Sequence, residues 1–221
     1  MIDDDVAGAA RAHQVLLRRL APIDSTGLVE DHISSPSRMP GWSVGHVLAH
    51  LTLHAASFVR LFAEAEEGRV GRQYPGGPTE RAAEIERDAG LTAVEHITRL
   101  REAIYRLEGT WIRASVAWQG RAEMASGAVI AISDLPLRRW REVEVHMGDL
   151  GIPDLGFDGP ECWSDDYVRT DIRVLTMQWS SRGSMGMNTL PPEVARLEDR
   201  WRLAWLLGRL QVPGVIAAGL L

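Results

Sequence analysis

One cysteine, Cys162, stands in 221 residues. A disulfide framework is therefore excluded, and so is a thiolate-rich metal site. The lone thiol suits a reducing compartment, and the cytoplasm is the expected location. Lysine is absent: all 24 basic residues are arginine. No lysine Schiff base or lysine general base can operate here. The basic residues form no cluster, and the net charge is -6. Nucleic acid and an anionic membrane surface are thus not expected partners. No apolar run reaches the roughly 18 residues that cross a bilayer. The first residues, Met1-Ile2-Asp3-Asp4-Asp5, are acidic where a signal peptide would be basic, so secretion is not expected. There is no internal repeat and no low-complexity segment.

What is present is helical periodicity. Val6, Ala9, Ala10, His13, Leu16, Leu17 and Leu20 fall on one 3.6-residue stripe and predict a helix over 3–20, ended by Pro22. Pro40-Gly41-Trp42-Ser43 opens a second helix from Val44 to about Glu67, with Ser43 as N-cap. The glycines and prolines of 68–78 predict a long loop, of a kind that often borders a site. A third helical pattern runs over 91–117, on Val94, Ile97, Leu100, Ile104, Leu107 and Trp111. An irregular hairpin or loop is expected over 118–132. Ser133-Asp134-Leu135-Pro136 then opens a fourth helix that ends near Gly148–Gly151, with Pro153 blocking its return. Beyond a Gly/Pro-rich linker, helices are expected over 163–179 and 197–210, with one short strand between Arg182 and Pro192. The apolar tail 212–221 is expected to pack on the domain or on another subunit; a monomer and a homodimer both fit.

Two faces carry candidate chemistry. Glu142 and His146 are four residues apart, which on a helix places them roughly 40° apart and one turn along. A carboxylate and an imidazole that converge in this way suit a borderline divalent metal such as zinc. On the second helix His46, His50 and His54 form an i, i+4, i+8 stripe on an otherwise apolar segment. Metal sites in four-helix bundles are built from inward side chains of facing helices. Two histidines and a carboxylate with an open position is the pattern of a catalytic rather than a structural zinc site. Spacing alone does not choose among the three histidines. It also leaves open a bland alternative, in which Glu142 pairs with Arg138 or Arg139 and the histidines bond carbonyls. Glu144 faces elsewhere and is expected to be solvent-exposed, and Cys162 is expected to be inert.

The segments Gly41-Trp42-Ser43-Val44-Gly45-His46-Val47-Leu48-Ala49-His50-Leu51 and Arg141-Glu142-Val143-Glu144-Val145-His146-Met147-Gly148-Asp149-Leu150-Gly151 resemble the mycothiol-dependent maleylpyruvate isomerase family. That family belongs to the DinB-like four-helix metalloproteins. Segments 170–179 and 205–209 resemble its C-terminal part. The resemblance implies a mainly α fold. Residues 1–152 would form a DinB-like four-helix metal-binding domain, and 153–221 a small α/β domain contributing an active-site arginine. It implies His50, Glu142 and His146 as metal ligands, Arg209 as the catalytic arginine, and two cofactors: a divalent ion, zinc above others, and mycothiol, a low-molecular-weight thiol. The implied reaction converts maleylpyruvate to fumarylpyruvate by thiolate addition to an unsaturated diacid, rotation and elimination. Arg209 would hold a substrate carboxylate. Its bland alternative is a surface arginine at a helix C-terminus. The rivals are a mycothiol S-transferase acting on another electrophile, a non-catalytic metal-binding stress protein, and a hydrolase using zinc-bound hydroxide.

Overall fold

A computed structural model describes residues 2–182 and 188–218. Four long helices form the body: α1 (Ile2–Leu20), α3 (Val44–Glu66), α5 (Ala93–Arg113) and α6 (Leu135–Leu150). Between them lie the short α2 (Glu30–Ile33) and α4 (Gly77–Ala89). In α1 the acidic first turn and the arginines of the last turn both complement the helix dipole. In α3 the Ser43 side chain accepts from the His46 amide, while the Ser43 amide donates to His46 Nδ1. This reciprocal cap gives His46 a local structural duty.

Packing follows burial. Helix α3 lies against α5, α4 and α6, and α1 lies against α6. The close approach of α1 to α6 depends on Gly8: a Cβ there would stand 2.4 Å from the Trp140 ring. Helix α6 is the centre of the molecule, with 13 of its 16 residues buried. It stops at Gly151, whose φ of +65° is a left-handed conformation that glycine adopts at little cost.

A three-stranded sheet, β1 (Gly71–Arg72), β2 (Arg121–Glu123) and β3 (Val129–Ala131), lies among the loops of the bundle. Strands β1 and β2 are parallel, while β2 and β3 form a hairpin with Ala122 opposite Ile130. The sheet draws 68–78 and 118–132 together beside the bundle. After Gly151 the chain makes two 3₁₀ turns and then α7 (Asp165–Ser181), α8 (Pro192–Ala195) and α9 (Asp199–Leu206). The described residues of this part are helices and turns. The short strand expected between Arg182 and Pro192 falls largely on 183–187, outside the described residues. The tail packs on its own chain: Ala218 is buried and its carbonyl accepts from Arg182. One apolar core runs without a break from Ala9 on α1 to Trp205 on α9.

Candidate metal centre

Helices α3 and α6 face each other, and their polar stripes meet. His50 Nε2 lies 3.0 Å from Glu142 Oε2, and His146 Nε2 lies 3.3 Å from the same oxygen. One ligating atom from each residue lies within 4.8 Å of the other two. Bonds of about 2.0–2.1 Å to a tetrahedral zinc would set neighbouring donors roughly 3.3 Å apart. The donor set and its spacing therefore fit a divalent ion. Both histidines are buried, while the Glu142 side chain is 28% exposed, so the centre opens to solvent through the carboxylate.

Each imidazole has a different Nδ1 partner. His146 Nδ1 lies 2.9 Å from Asp149 Oδ2, an ion-pair distance at an angle that misses hydrogen-bond alignment. A carboxylate behind a histidine fixes the opposite nitrogen as the metal-facing lone pair. Asp149 is held in turn by Arg209, whose Nε and Nη2 reach its two oxygens at 3.1 and 2.8 Å. His54 Nδ1 stands 3.3 Å from Nη1 of Arg139, a fully buried guanidinium. That donor leaves the His54 proton on Nε2, which points at Glu142 Oε1 from 3.8 Å. At that distance His54 faces the carboxylate without hydrogen bonding to it. His50 Nδ1 accepts from Arg81 at 3.0 Å, and Arg81 is only half-buried, at the rim.

The charge states follow. Burial alone would lower His146, but Asp149 and Glu142 outweigh it and hold the imidazole up at about 9. Burial depresses His50 to about 4 against the opposing bond to Glu142. Burial would raise Glu142, yet His54, His146 and His50 together hold it well below the carboxylate range. The carboxylate is ionised beside one cationic and two neutral imidazoles. A cavity of about 270 Å³ opens over it, lined by Gln73, Tyr74, Arg81, Met124, Ser126 and Arg138 among others. The loop 68–78 thus borders the site through Gln73 and Tyr74.

The family model for the mycothiol maleylpyruvate isomerase N-terminal domain matches residues 7–151. The chain belongs to the mycothiol maleylpyruvate isomerase family. It is accordingly an enzyme of isomerase-like type. Two solved structures share the fold. A mycothiol-dependent maleylpyruvate isomerase matches with a TM-score of 0.76 at 20% identity, over 95% of this chain and 90% of that one. A histidine-to-alanine mutant of a mycothiol-dependent maleylpyruvate isomerase matches with a TM-score of 0.70 at 23% identity, over 83% of this chain and 73% of that one. Among curated proteins none matches the sequence.

Within this family member the three expected ligands come together and Arg209 does not join them directly. It reaches the centre through Asp149 and His146, and it lines a separate cleft with Met39 and Trp163. One expectation is corrected: Glu144 is buried, not exposed. It accepts from Trp140 Nε1 at 3.1 Å and from the Ser164 amide at 2.9 Å, and so ties α6 to the start of α7. Trp140 stands four residues before Glu144, a spacing that was visible in the sequence. Asp149 lies three residues after His146, a helical spacing the sequence shows, whereas Arg81 and Arg139 stand behind their histidines only through the packing of other helices. Cys162 is half-buried outside the centre, and burial pushes its thiol up to about 11.

Proposed function

We propose that the chain is a mycothiol-dependent cis–trans isomerase of the maleylpyruvate type, acting at a divalent metal, zinc, held by His50, Glu142 and His146. The observation that carries this is the convergence of both Nε2 atoms on one carboxylate oxygen beneath an open cavity. When bound, the metal would be held by His50, Glu142 and His146 and would supply stabilisation of a coordinated thiol as its thiolate.

The chain's own residues do the rest. Two neutral imidazoles and one carboxylate leave about one net positive charge on a divalent ion. His54 Nε2 faces the outer oxygen of Glu142 from 3.8 Å and lines the carboxylate. Asp149 orients His146, and Arg209 fixes Asp149, so Arg209 acts as a positioning residue in this arrangement. Cys162, with its raised pKa and its place outside the cavity, does not offer a competing thiolate. A borrowed thiol is the consistent choice, in the reducing cytoplasm that a single unpaired cysteine favours.

Two measurements test the proposal. Elemental analysis of the purified protein is expected to find about one divalent ion per chain, lost in His50→Ala and Glu142→Ala; retention in both would refute the ligand set. The ultraviolet spectrum of maleylpyruvate with protein is expected to change only when mycothiol is added. A flat trace from metal-loaded protein sinks the isomerase assignment, and a released mycothiol adduct identifies a transferase instead. Arg209→Ala is expected to lower kcat and also to weaken metal binding by about tenfold or more, as loss of an outer-shell partner does. Arg209→Lys should restore part of both.

A further inference from the structure

The centre is crowded with guanidinium groups, and most are already engaged. Arg139 serves His13 and His54. Arg141 is bidentate to Asp171 at 2.7 and 2.6 Å, and Arg209 is closed on Asp149. Two differ. Arg138 is half-buried, lines the cavity over Glu142, and makes no hydrogen bond or ion pair among the described residues. It sits one turn before Glu142 on α6, yet lies beyond ion-pair distance from it. A cationic side chain withdrawn from water without a partner is unfavourable, and an anion in the cavity would relieve it. Arg81 lines the same cavity from α4, with its guanidinium 5.3 Å from the centre of the Tyr74 ring. It donates to His50 Nδ1 at 3.0 Å and also holds the Tyr74 hydroxyl within reach.

That bond is conditional. A neutral imidazole has one proton. With Nε2 committed to a metal, the proton of His50 sits on Nδ1, and a donor then faces a donor. Arg81 lies half-buried at the rim of the cavity beside Tyr74, whereas Arg139 behind His54 is enclosed. Loading the centre would therefore turn Arg81 from Nδ1 toward the cavity, beside Arg138.

We infer that Arg138 and Arg81 form a two-point anion subsite over the metal centre that holds the carboxylates of a small dicarboxylate substrate. The planar forks suit carboxylates, and the cavity of about 270 Å³ suits a small acid rather than a large one. This assignment deepens the isomerase proposal and rests on it for the choice of a dicarboxylate. It also gives the carboxylate contact to the one arginine beside the metal that has no partner of its own.

The test is a binding measurement without turnover. Zinc-loaded protein is titrated calorimetrically with maleate, and zinc content and circular dichroism are recorded for every variant. Arg138→Gln and Arg81→Gln are each expected to weaken maleate binding by about tenfold or more, the usual scale for a charge-assisted pair. Arg138→Lys should lose less than Arg138→Gln, and Arg173→Gln, on the exposed face of α7, should stay within twofold of the parent. The inference is overturned if the parent shows no saturable maleate binding, or if Arg138→Gln binds within twofold of the parent with zinc retained. Should Arg138→Gln fail to fold, Arg81→Gln carries the test, and binding within twofold of the parent again overturns it. Arginine-dependent maleate binding by a protein that does not isomerise maleylpyruvate would leave the subsite standing and remove the isomerase. Turnover with maleate binding indifferent to both arginines would do the reverse.

Discussion

His50 and His54 sit one turn apart on the same stripe, and both face Glu142. What separates them is the arginine behind each ring. Arg139, behind His54, is fully buried, whereas Arg81, behind His50, is half-buried at the cavity rim. The buried chain continues outward. Arg139 Nε donates to His13 Nε2 at 2.9 Å, and His13 Nδ1 meets Glu108 at 2.8 Å. Burial holds His13 at about 4 despite its bond to Glu108. The folded value lies below the unfolded value of about 6.5. The unfolded chain therefore takes up the proton first. The contribution of His13 is complete above pH 6.5 and is lost as pH falls toward 4, by roughly 3 kcal/mol. Urea unfolding at pH 7 and pH 4.5 should show this loss, and His13→Gln should shrink the difference. Equal slopes in parent and variant would mean that His13 does not govern acid stability.

At the scale of elements, the candidate metal centre depends on how deeply α6 is set. Its inner face carries Glu142 and His146, while Trp140 and Glu144 turn toward α1 and α7. Gly8 lets α1 lie directly on the Trp140 ring. Gly8→Ala would add a Cβ 2.4 Å from that ring, and the two helices would have to part. Overpacking of this kind costs about 1–3 kcal/mol. Thermal melting should show the loss, whereas the better helix propensity of alanine predicts a gain; a higher Tm would refute the packing account. The caps are local and work independently: Ser43 closes α3, and Thr92 with Glu95 closes the start of α5.

For the whole molecule, the question is how the part after 152 is joined to the bundle. We propose that 153–221 is a distinct unit docked on α6, with the boundary near the end of the matched family domain at 151. The join includes a buried polar cluster. Arg141 on α6 pairs with Asp171 on α7, and the Tyr167 hydroxyl donates to the same carboxylate at 3.0 Å. All three side chains are buried. Removing one partner leaves an uncompensated buried charge, which typically costs about 3–5 kcal/mol. Asp171→Ala is expected to destabilise the protein by that order in urea unfolding, and the double change Arg141→Met with Asp171→Leu should recover most of it. A single variant as stable as the parent would show that the pair does not hold the unit in place. The same docking brings Arg209 from beyond α9 to Asp149, so the far end of the chain supports the centre it never touches.

Local information was sufficient for much of this. The four long helices are legible because amphipathic period, N-caps and glycine or proline stops act within a few residues. The pair Glu142 and His146 is legible for the same reason, since i and i+4 share a helical face wherever the helix is placed. The choice of His50 over its neighbours came from family resemblance, and its physical basis is the tertiary partner of each Nδ1. Glu144 was misread because burial on all sides of α6 depends on α1 and α7 being packed there, and a fully enclosed helix has no solvent face to recognise. The arginines are the sharpest case. Twenty-four look alike in the chain. Only the folded packing separates those locked on acids, the one sealed behind His54, and Arg138, which has no hydrogen-bond or ion-pair partner among the described residues, because a guanidinium's role is set by what lies within about 4 Å of it in space.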